Sequence, residues 1–320
     1  MIDKFENMTD DPAWDRTVMS VYGVEPRFIE NDRDRIKLFF SKPRFGRGYM
    51  ATAPYADYGG VSVAGDRVAD ETVAGLNALL RESRARYLLV RTHQPVFEGL
   101  PGFVTDTSHF TFKLDLRPGP EEIWTRGIGA NKRSHVRRAR KKGLTIQEGG
   151  IELLDDFYRV IAACWRDLGT PTHGKRFFRE LIANFGTRIA VIVIRDGQVP
   201  VSAALVYLLE RTISDFPFTL NSYKKHYVNE LLYWTIIELA CARGKAFFNM
   251  GRSHIDQGTY PYKESWGGRP VQIYNVHLLA RGVKPIDIHS PFLKLATSAW
   301  KLAPVRITTA LGPSLIRKIL

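Results

Sequence analysis

A glycine-punctuated segment, residues 251–268, holds the pattern in this sequence that is richest in chemistry. Glycines let the main chain approach a ligand closely and offer its amides to an anion. Arg252 and Lys263 place fixed positive charge beside those amides, an arrangement that can hold a phosphate or stabilise an oxyanion in acyl transfer. The residues of the segment that we predict to contact a ligand are Arg252, Ser253, Gly258, Thr259, Tyr260, Lys263 and Trp266.

The same segment also fits a tight connection between strands that binds nothing. The sequence has no P-loop, no GxGxxG after a strand, no HExxH and no GxSxG, so it lacks these signatures of phosphate, dinucleotide, zinc and serine-hydrolase sites. Cys164 and Cys241 can form neither a disulfide framework nor a metal site between them, which fits a reducing compartment. We predict no metal site.

A basic run, residues 131–143, places seven Lys/Arg in thirteen positions. On the helix predicted from Pro120 through Lys142, Arg133 and Arg137 share one stripe with Arg140 or Lys141, and this stripe could meet a phosphate. A solvated cationic face is the alternative for most of these residues. The run lacks the aromatic side chains that stack on single-stranded nucleic acid.

The LGTPTH loop, residues 168–173, is a candidate for proton transfer. Pro171 disfavours helix at Thr170 and is expected to expose His173, whose imidazole could move protons near neutral pH. The alternative is a loop in which a threonine caps the next helix. Asp215, on a predicted strand, is a second candidate base, and the sequence identifies no strong general base.

Hydrophobic periodicity predicts the elements that must position these residues. Between Trp14 and Leu116 the chain reads as short strands with one amphipathic helix, Thr72 to Arg84. Beyond Pro118 the predicted order is helix, strand, two helices, three antiparallel strands, helix, strand, loop and strand. Asp196-Gly197 marks a hairpin between the first two antiparallel strands. This order indicates an α+β fold with helices packed over a mixed sheet.

Length and charge limit the function classes. With 320 residues, 44% hydrophobic and 25% charged, the chain can fill two cores. Its formal net charge of +13 predicts attraction to phosphate-bearing partners, and residues 1–70 carry a net −2, so the basic character lies beyond them. Residues 1–20 show no secretory signal and no window reaches 18 apolar residues, so we expect a cytoplasmic protein without a membrane span.

The last thirty residues, 291–320, are apolar and basic, with five Lys/Arg and no acid. They predict one or two amphipathic helices broken at Pro304 and Pro313. In one interpretation Trp300 and the leucines face lipid, so that the tail binds peripherally at the inner membrane surface. In the other, the helices dock onto the core of the same chain.

Several motifs together resemble a known family. They are NKRSHVRRARKKGL, LGTPTH with the following KRFF, NELLYW, and FFNMGRS…GTYPYKESWG, preceded by FGRGYMATAPYADYGG and YLLVR. This combination, over residues 14–280, resembles the FemAB-related branch of the GNAT acyltransferases. In particular, it resembles the FemAB-like proteins found beside bacterial exopolysaccharide and exosortase loci.

The resemblance implies tandem GNAT-like units with mixed, mainly antiparallel sheets, plus a C-terminal helical tail. Residues 1–118 would form a degenerate N-terminal unit, residues 119–282 the acyltransferase unit with the substrate cleft, and residues 283–320 the basic amphipathic tail. We use these limits as the predicted domain organisation.

The resemblance also implies an activity: transfer of an acyl or aminoacyl group to an amine or hydroxyl of a cell-envelope or exopolysaccharide precursor. No cofactor is firmly implied, and the co-substrate would be an activated donor, either aminoacyl-tRNA or an acyl thioester. A phosphate-bearing donor such as tRNA, or a nucleotide-linked acceptor, would suit the basic surface. Lys263 would stabilise charge on the donor ester or the tetrahedral intermediate, and Asn229, Tyr233 and Thr170 would contact substrate.

The sequence departs from the family pattern in ways that leave the substrate open. Residues 217–221 read PFTLN where small and hydroxyl residues are usual, and Val228 replaces the proline expected before Asn229. The pyrophosphate loop of ordinary GNAT enzymes is missing, which disfavours acetyl-CoA as donor. Two alternatives stay open: an N-acyltransferase that uses acyl-CoA or acyl-carrier protein, and a non-catalytic basic protein that binds nucleic acid or a membrane surface.

Overall fold

The structure is a computed structural model that describes residues 6–41, 48–283 and 291–317. The side chains of Ser214, Asp215, Pro291 and Phe292 lie outside this description. The fold is α+β, with helices packed over both faces of a 12-stranded, mainly antiparallel sheet. The fold class predicted from the sequence is therefore confirmed.

In the first part of the chain, the second strand buries side chains on both of its faces. The elements of this part are α1 (Pro12–Tyr22), β1 (Pro26–Glu30), β2 (Asp34–Ser41), β3 (Tyr49–Ala51), β4 (Val61–Val63), α2 (Asp70–Glu82), β5 (Tyr87–Thr92) and β6 (Phe103–Asp115). Side chains alternate between faces along a strand. Leu38 of β2 accordingly shares a buried cluster with Leu76 of α2, whereas its neighbour Phe39 lies in the cluster that holds Trp14 of α1.

The second part of the chain also sandwiches its strands between helices. Its elements are α3 (Gly119–Glu122), α4 (Ala130–Arg140), β7 (Thr145–Gly149), α5 (Leu154–Leu168), α6 (Lys175–Phe185), β8 (Ile189–Asp196), β9 (Val199–Leu208), β10 (Thr212–Thr219), α7 (Asn221–Lys224), α8 (Val228–Ala242), β11 (Phe247–His254), α9 (Thr259–Glu264) and β12 (Arg269–Leu279). Val191 and Val193 of β8 pack in the cluster of α5 and α6, and Ile192 and Ile194 in the cluster of α8. Covering both faces explains why β8 is an almost unbroken apolar run.

The two parts of the chain share one sheet, with strand order β1-β2-β3-β5-β12-β6-β11-β10-β9-β8-β7 and β4 paired to β2. The late strand β12 returns to the first part and pairs antiparallel with both β5 and β6. β6 in turn pairs with β11, so the centre of the sheet joins early and late strands. The predicted domain limits at residues 118 and 282 stay a prediction.

Several elements differ from the sequence prediction. The prediction of one helix between Trp14 and Leu116 is wrong, because α1 precedes the strands and α2 follows β4. The helix expected from Pro120 through Lys142 is interrupted, because α3 runs into a π-helical turn, Ile123–Gly127, and α4 begins only after Gly129 in extended conformation. Residues 251–268 are more regular than a loop, since β11 continues to His254 and α9 follows.

The tail forms two helices, α10 (Pro291–Leu302) and α11 (Val305–Ile316). The predicted break at Pro304 is confirmed, but the one at Pro313 is wrong, because α11 continues through this residue. None of the helices in the described residues is long and apolar enough to cross a membrane.

Candidate active site

The neighbouring parallel strands β10 and β11 separate after a short stretch of pairing. Their register runs from Thr212 beside Phe247 to Ser214 beside Asn249 and ends there. Beyond that point β10 stays paired with β9 as far as Thr219, whereas β11 bulges and stays paired with β6. Beyond Ser214 and Asn249 the two strands no longer pair with each other, and we call this separation the gap.

A buried lysine holds the bulge beside this gap. The register of β11 against β6 shifts between Asn249 and Arg252, and Gly251 within the shift has φ +71°, in the left-handed region that favours glycine. Lys263 of α9 is only 6% exposed. Its Nζ donates hydrogen bonds to the main-chain oxygens of Gly251 at 2.8 Å and Arg252 at 2.9 Å. The predicted lysine is therefore bonded to the bulge.

A cavity of about 550 Å³ lies beside the gap, with walls from α5, β10, α7, α8 and α9. The predicted site residues that line it are Asn229, Tyr233, Gly258, Thr259 and Lys263. They come from two segments about thirty residues apart in the chain. The structure thus brings the NELLYW motif and the glycine-punctuated segment to one cavity.

A chain of hydrogen bonds orients the polar wall of this cavity. Ser202 Oγ lies 2.6 Å from Thr219 Oγ1, which donates to Asn229 Oδ1 at 3.2 Å. Asn229 Nδ2 donates to the hydroxyl of Tyr262 at 2.7 Å. Both ends of the Asn229 amide are engaged, so its orientation is set by Thr219 of β10 and Tyr262 of α9.

Aromatic rings and one ion pair form a second part of the wall. Tyr233 stacks on Trp266, with ring centroids 5.7 Å apart, and Trp266 is fully buried. Lys132 Nζ lies 3.8 Å from the ring centroid of Tyr262 and 3.6 Å from Glu230 Oε1. Burial lowers the pKa of Lys132, and the Glu230 carboxylate acts against that shift. Trp266, predicted to contact a ligand, supports Tyr233 instead.

Sequence reasoning missed three groups at this site. Tyr262 precedes Lys263 and lines the cavity, and Glu230 follows Asn229 and lines it too. Lys132 belongs to the basic run but points to Tyr262 and Glu230. Adjacency to a predicted site residue was the available signal for the first two. Nothing local could have paired Lys132 with a carboxylate almost one hundred residues away.

The other predicted residues of the segment lie near the bulge but are not among those lining the cavity. Arg252 Nε is 3.5 Å from Asp57 Oδ1, and the Arg252 main-chain nitrogen donates to Asp57 Oδ2 at 2.9 Å. Ser253 is buried, and Tyr260 packs edge-to-face on Phe112. Arg252 therefore ties the bulge to the first part of the chain.

The prediction that His173 is exposed is wrong, because the residue is only 3% exposed. It stacks on Phe177 with ring centroids 4.1 Å apart, and its Nδ1 is hydrogen-bonded to the hydroxyl of Tyr22. Burial lowers the pKa of His173 to about 3. These neighbours place it in an aromatic core cluster outside the cavity lining, which is a poor place for a proton carrier.

Thr170 and Asp215 add nothing to the described site. Thr170 is exposed, and its main-chain nitrogen donates to the oxygen of Trp165 at 2.9 Å within the loop after α5. The side chain of Asp215 lies outside the described residues, although its main chain pairs with Val206 in the sheet.

Arg133 and Arg137 contact neighbouring residues of the same chain. Arg133 Nη1 donates to the main-chain oxygens of Trp124 and Thr125, both at 3.1 Å, and to that of Ile128. Arg137 lies over the ring of Trp124 at 5.4 Å. Both arginines therefore hold the interrupted helix against its own π-helical turn, and neither lines the cavity.

A second cavity of about 620 Å³ lies at the N-terminus of α8, and its lining carries more basic side chains than acidic ones, the acid being Asp196. The basic residues lining it are Lys141, Lys142, Lys225 and His226. Desolvation and the nearby charges of Lys142 and Lys225 lower the pKa of His226. Helix N-termini favour anions, so this cavity combines a helix dipole with three ammonium groups.

Thiol and metal chemistry find little support in the described residues. Cys164 lines the first cavity, but burial raises the pKa of its thiol to about 12, so the thiol stays protonated near neutral pH. Over the described ranges, no group of three or more His, Cys, Asp or Glu side chains is placed to hold a metal ion.

Comparison with known proteins shows a GNAT domain and a fold shared with solved structures. Residues 130–264 match the family model of the acetyltransferase (GNAT) domain. The fold is similar to that of FemX, with TM-score 0.64 and 12% identity over 92% of this chain and 95% of that one. It is also similar to L-PGS from Bacillus licheniformis (TM-score 0.54, 14% identity, 92% and 98% covered). A tandem GNAT protein from the clavulanic acid biosynthesis pathway matches with TM-score 0.56 and 10% identity over 82% and 84%. No curated protein shows a significant sequence match.

Proposed function

We propose that this chain, a FemAB-related GNAT fold with its GNAT domain at residues 130–264, transfers an acyl or aminoacyl group in the cavity lined by β10, α8 and α9. The observation that carries the proposal is the buried Lys263 ammonium, bonded to the bulge and lining the cavity where the two strands separate. A cation held in a largely desolvated site acts strongly on charge that develops beside it.

In this mechanism the acceptor nitrogen or oxygen attacks the carbonyl carbon of the activated donor. The carbonyl electrons move to oxygen, and the positive charge of Lys263 with nearby main-chain amides stabilises the oxyanion. Collapse of the tetrahedral intermediate expels the donor alcohol or thiol, which takes up the proton lost by the acceptor. Loss of one oxyanion-hole donor typically costs about 10²- to 10³-fold in turnover.

The polar wall would position the acceptor. Asn229 and Tyr262 are locked by the hydrogen-bond chain from Ser202, and Glu230 is a buried carboxylate that can attract an acceptor amine. Orientation of two reactants can lower a barrier by about 7 to 11 kcal/mol. Positioning therefore accounts for much of the proposed rate without a strong general base.

The basic cavity at α8 would hold the phosphate of the donor or of a nucleotide-linked acceptor. Lys141, Lys142 and Lys225 supply the charge, and α7 lies between the two cavities because Lys224 lines one and Lys225 the other. We propose aminoacyl-tRNA or an acyl thioester as donor and a cell-envelope or exopolysaccharide precursor as acceptor, with the reaction in the cytoplasm.

A second candidate function is an N-acyltransferase that uses acyl-CoA or acyl-carrier protein, favoured by the GNAT domain match. A non-catalytic basic protein is disfavoured, because Arg133, Arg137 and Arg140 are engaged within the fold rather than held toward a polyanion.

A comparison of donors tests the proposal. Radiolabelled aminoacyl-tRNA and acyl-CoA would be offered separately with a pool of nucleotide-linked and amine acceptors, and labelled products identified by mass spectrometry. We expect product from one donor class with the wild type and about 10²-fold less with Lys263→Met. Absence of product from every donor, or full activity of Lys263→Met, would refute the proposed transfer.

A further inference from the structure

Helix α11 carries an exposed apolar row. Ile307, Leu311 and Leu315 follow one another at intervals of four residues and are 49%, 53% and 37% exposed. Residues four apart lie on one face of a helix. Three branched side chains are therefore aligned on the outer face.

Helix α10, which directly precedes α11 in the chain, also carries exposed leucines. Leu295 and Leu302 lie seven residues apart, two helical turns, and are 71% and 86% exposed. Leu302 ends α10, next to the turn that leads into α11. We call the surface formed by Leu295, Leu302, Ile307, Leu311 and Leu315 the tail surface.

The row of α11 next to the apolar one fixes the orientation of the helix. Thr308 and Gly312 are buried, and a Cβ at Gly312 would lie 2.7 Å from the main-chain oxygen of Thr172. This close approach holds the helix against the LGTPTH loop. The docked interpretation of the tail thus holds for this row, and the apolar row beside it still points outward.

Basic side chains accompany the tail surface. Lys294, Lys301 and Arg306 are exposed on the same two helices, and residues 291–320 contain no acid. Apolar side chains beside lysine and arginine are the pattern of a helix that lies in a membrane interface, where the cations meet anionic headgroups. A symmetric pairing of two copies through this surface would instead bring two basic tails together, with no acid in residues 291–320 of either copy to pair with their charges.

We propose that the tail surface docks on an anionic lipid bilayer, with Leu302 and Leu311 in the acyl boundary and the basic residues among the headgroups. The occupant follows from charge complementarity together with the exposed leucines. No part of this docking proposal depends on the transfer reaction.

The tail is bonded to one wall of the first cavity. Arg166 Nη1 donates to the main-chain oxygen of Ala303, and its Nε donates to Asp167 Oδ1 at 2.6 Å. Asp167 Oδ2 accepts from Asn221 Nδ2 at 2.8 Å, and both of these residues line the cavity. If the proposed function holds, docking would bring the cavity close to the lipid surface, where a lipid-linked acceptor would lie.

Vesicle flotation of the full chain tests the docking. Wild type would be compared with Leu302→Ser/Leu311→Ser and with Lys294→Gln/Arg306→Gln on phosphatidylcholine vesicles with and without 30% phosphatidylglycerol. The control, Ile146→Ser/Val199→Ser, removes two apolar side chains that are 44% and 53% exposed elsewhere on the molecule. Thermal unfolding would verify that every variant is folded.

We expect the wild type and the control to float with anionic vesicles, and each tail variant to lose about tenfold or more in partitioning. Equal partitioning of wild type and both tail variants would overturn the proposal. So would equal binding to neutral vesicles, or a wild-type dimer in sedimentation equilibrium that Leu302→Ser/Leu311→Ser dissociates, which would assign the surface to a second copy. These readouts measure binding alone, so loss of transfer activity would not affect them.

Discussion

Lys263 Nζ donates a hydrogen bond at 2.8 Å to the main-chain oxygen of Gly251, twelve positions earlier in the chain. The bond depends on the left-handed backbone of Gly251, which turns its carbonyl within the bulge of β11. A Cβ at Gly251 would lie 3.8 Å from Nζ and 3.5 Å from Asp57 Oδ2. Strand, helix and the first part of the chain therefore meet at one glycine.

We first predict that Lys263→Met abolishes most transfer. Methionine keeps the volume but removes the ammonium, so turnover should fall about 10²- to 10³-fold. Two main-chain oxygens also lose a donor, which should lower the free energy of unfolding by about 1 to 3 kcal/mol. Single-turnover kinetics and urea unfolding measure the two effects separately.

Lys245 provides a matched control for that variant. Its Nζ also donates to two main-chain oxygens, those of Leu209 and Glu210, but it lines neither cavity described above. Lys245→Met should lose comparable stability and keep its turnover. An equal loss of turnover in both variants would show that Lys263 acts only through stability.

The second prediction concerns Gly251→Ala. Alanine in the left-handed region costs about 1 to 2 kcal/mol, and relaxation of the bulge would move the carbonyls that hold Lys263. Gly197→Ala is the control, because Gly197 has φ +56° in the β8–β9 hairpin and open space around its Cβ position. Both variants should lose similar stability in thermal unfolding, but only Gly251→Ala should lose turnover. Equal turnover would mean that the bulge does not position the lysine.

The third prediction is a pH dependence of stability from His173. Burial lowers the pKa of His173 from 6.5 to about 3 in the folded state, so below pH 6.5 only the unfolded chain takes up the proton. The free energy of unfolding should therefore decrease by about 1.4 kcal/mol for each unit by which the pH is lowered between pH 6 and 3. Urea unfolding at pH 7.5 and 5.0 should show about 2 kcal/mol more loss in the wild type than in His173→Phe.

The same variant tests the predicted catalytic role of His173. Because the imidazole is buried against Phe177 and Tyr22, we expect His173→Phe to keep its turnover per folded molecule and the shape of its pH profile. A loss of more than about tenfold, together with the disappearance of a titration near pH 6 to 7, would restore His173 as a proton carrier.

The fourth prediction concerns the basic cavity. Lys141→Gln/Lys142→Gln/Lys225→Gln should raise KM for the phosphate-bearing substrate and flatten the dependence of log(kcat/KM) on log[salt], with little change in kcat. The control removes equal charge from exposed arginines of the first part of the chain, Arg27→Gln/Arg67→Gln/Arg81→Gln. The same salt slope in both triple variants would place the phosphate elsewhere.

Several features of this protein were determined by local sequence. Unbroken or alternating apolar runs gave correct positions for β8, β9, α5 and α8, since a strand or helix must place its apolar residues on a buried face. The glycine and lysine of the 251–268 segment lie twelve positions apart, so one strand end and one helical turn suffice to bring them together. The GNAT-like fold was accordingly accessible from motifs.

Only the tertiary structure decided which charged and polar groups are available for chemistry. His173 is buried against Tyr22, 151 positions away, and Arg140 forms an ion pair with Glu238, 98 positions away. The insertion of β12 between β5 and β6 and the separation of β10 from β11 are likewise long-range pairings. Hydrophobic periodicity indicates which face of a helix or strand is buried. Which other element covers that face depends on the free energy of the whole fold. For this reason the sequence indicated Lys263, but only the fold brought Glu230 to the same cavity and placed Lys132 beside Glu230.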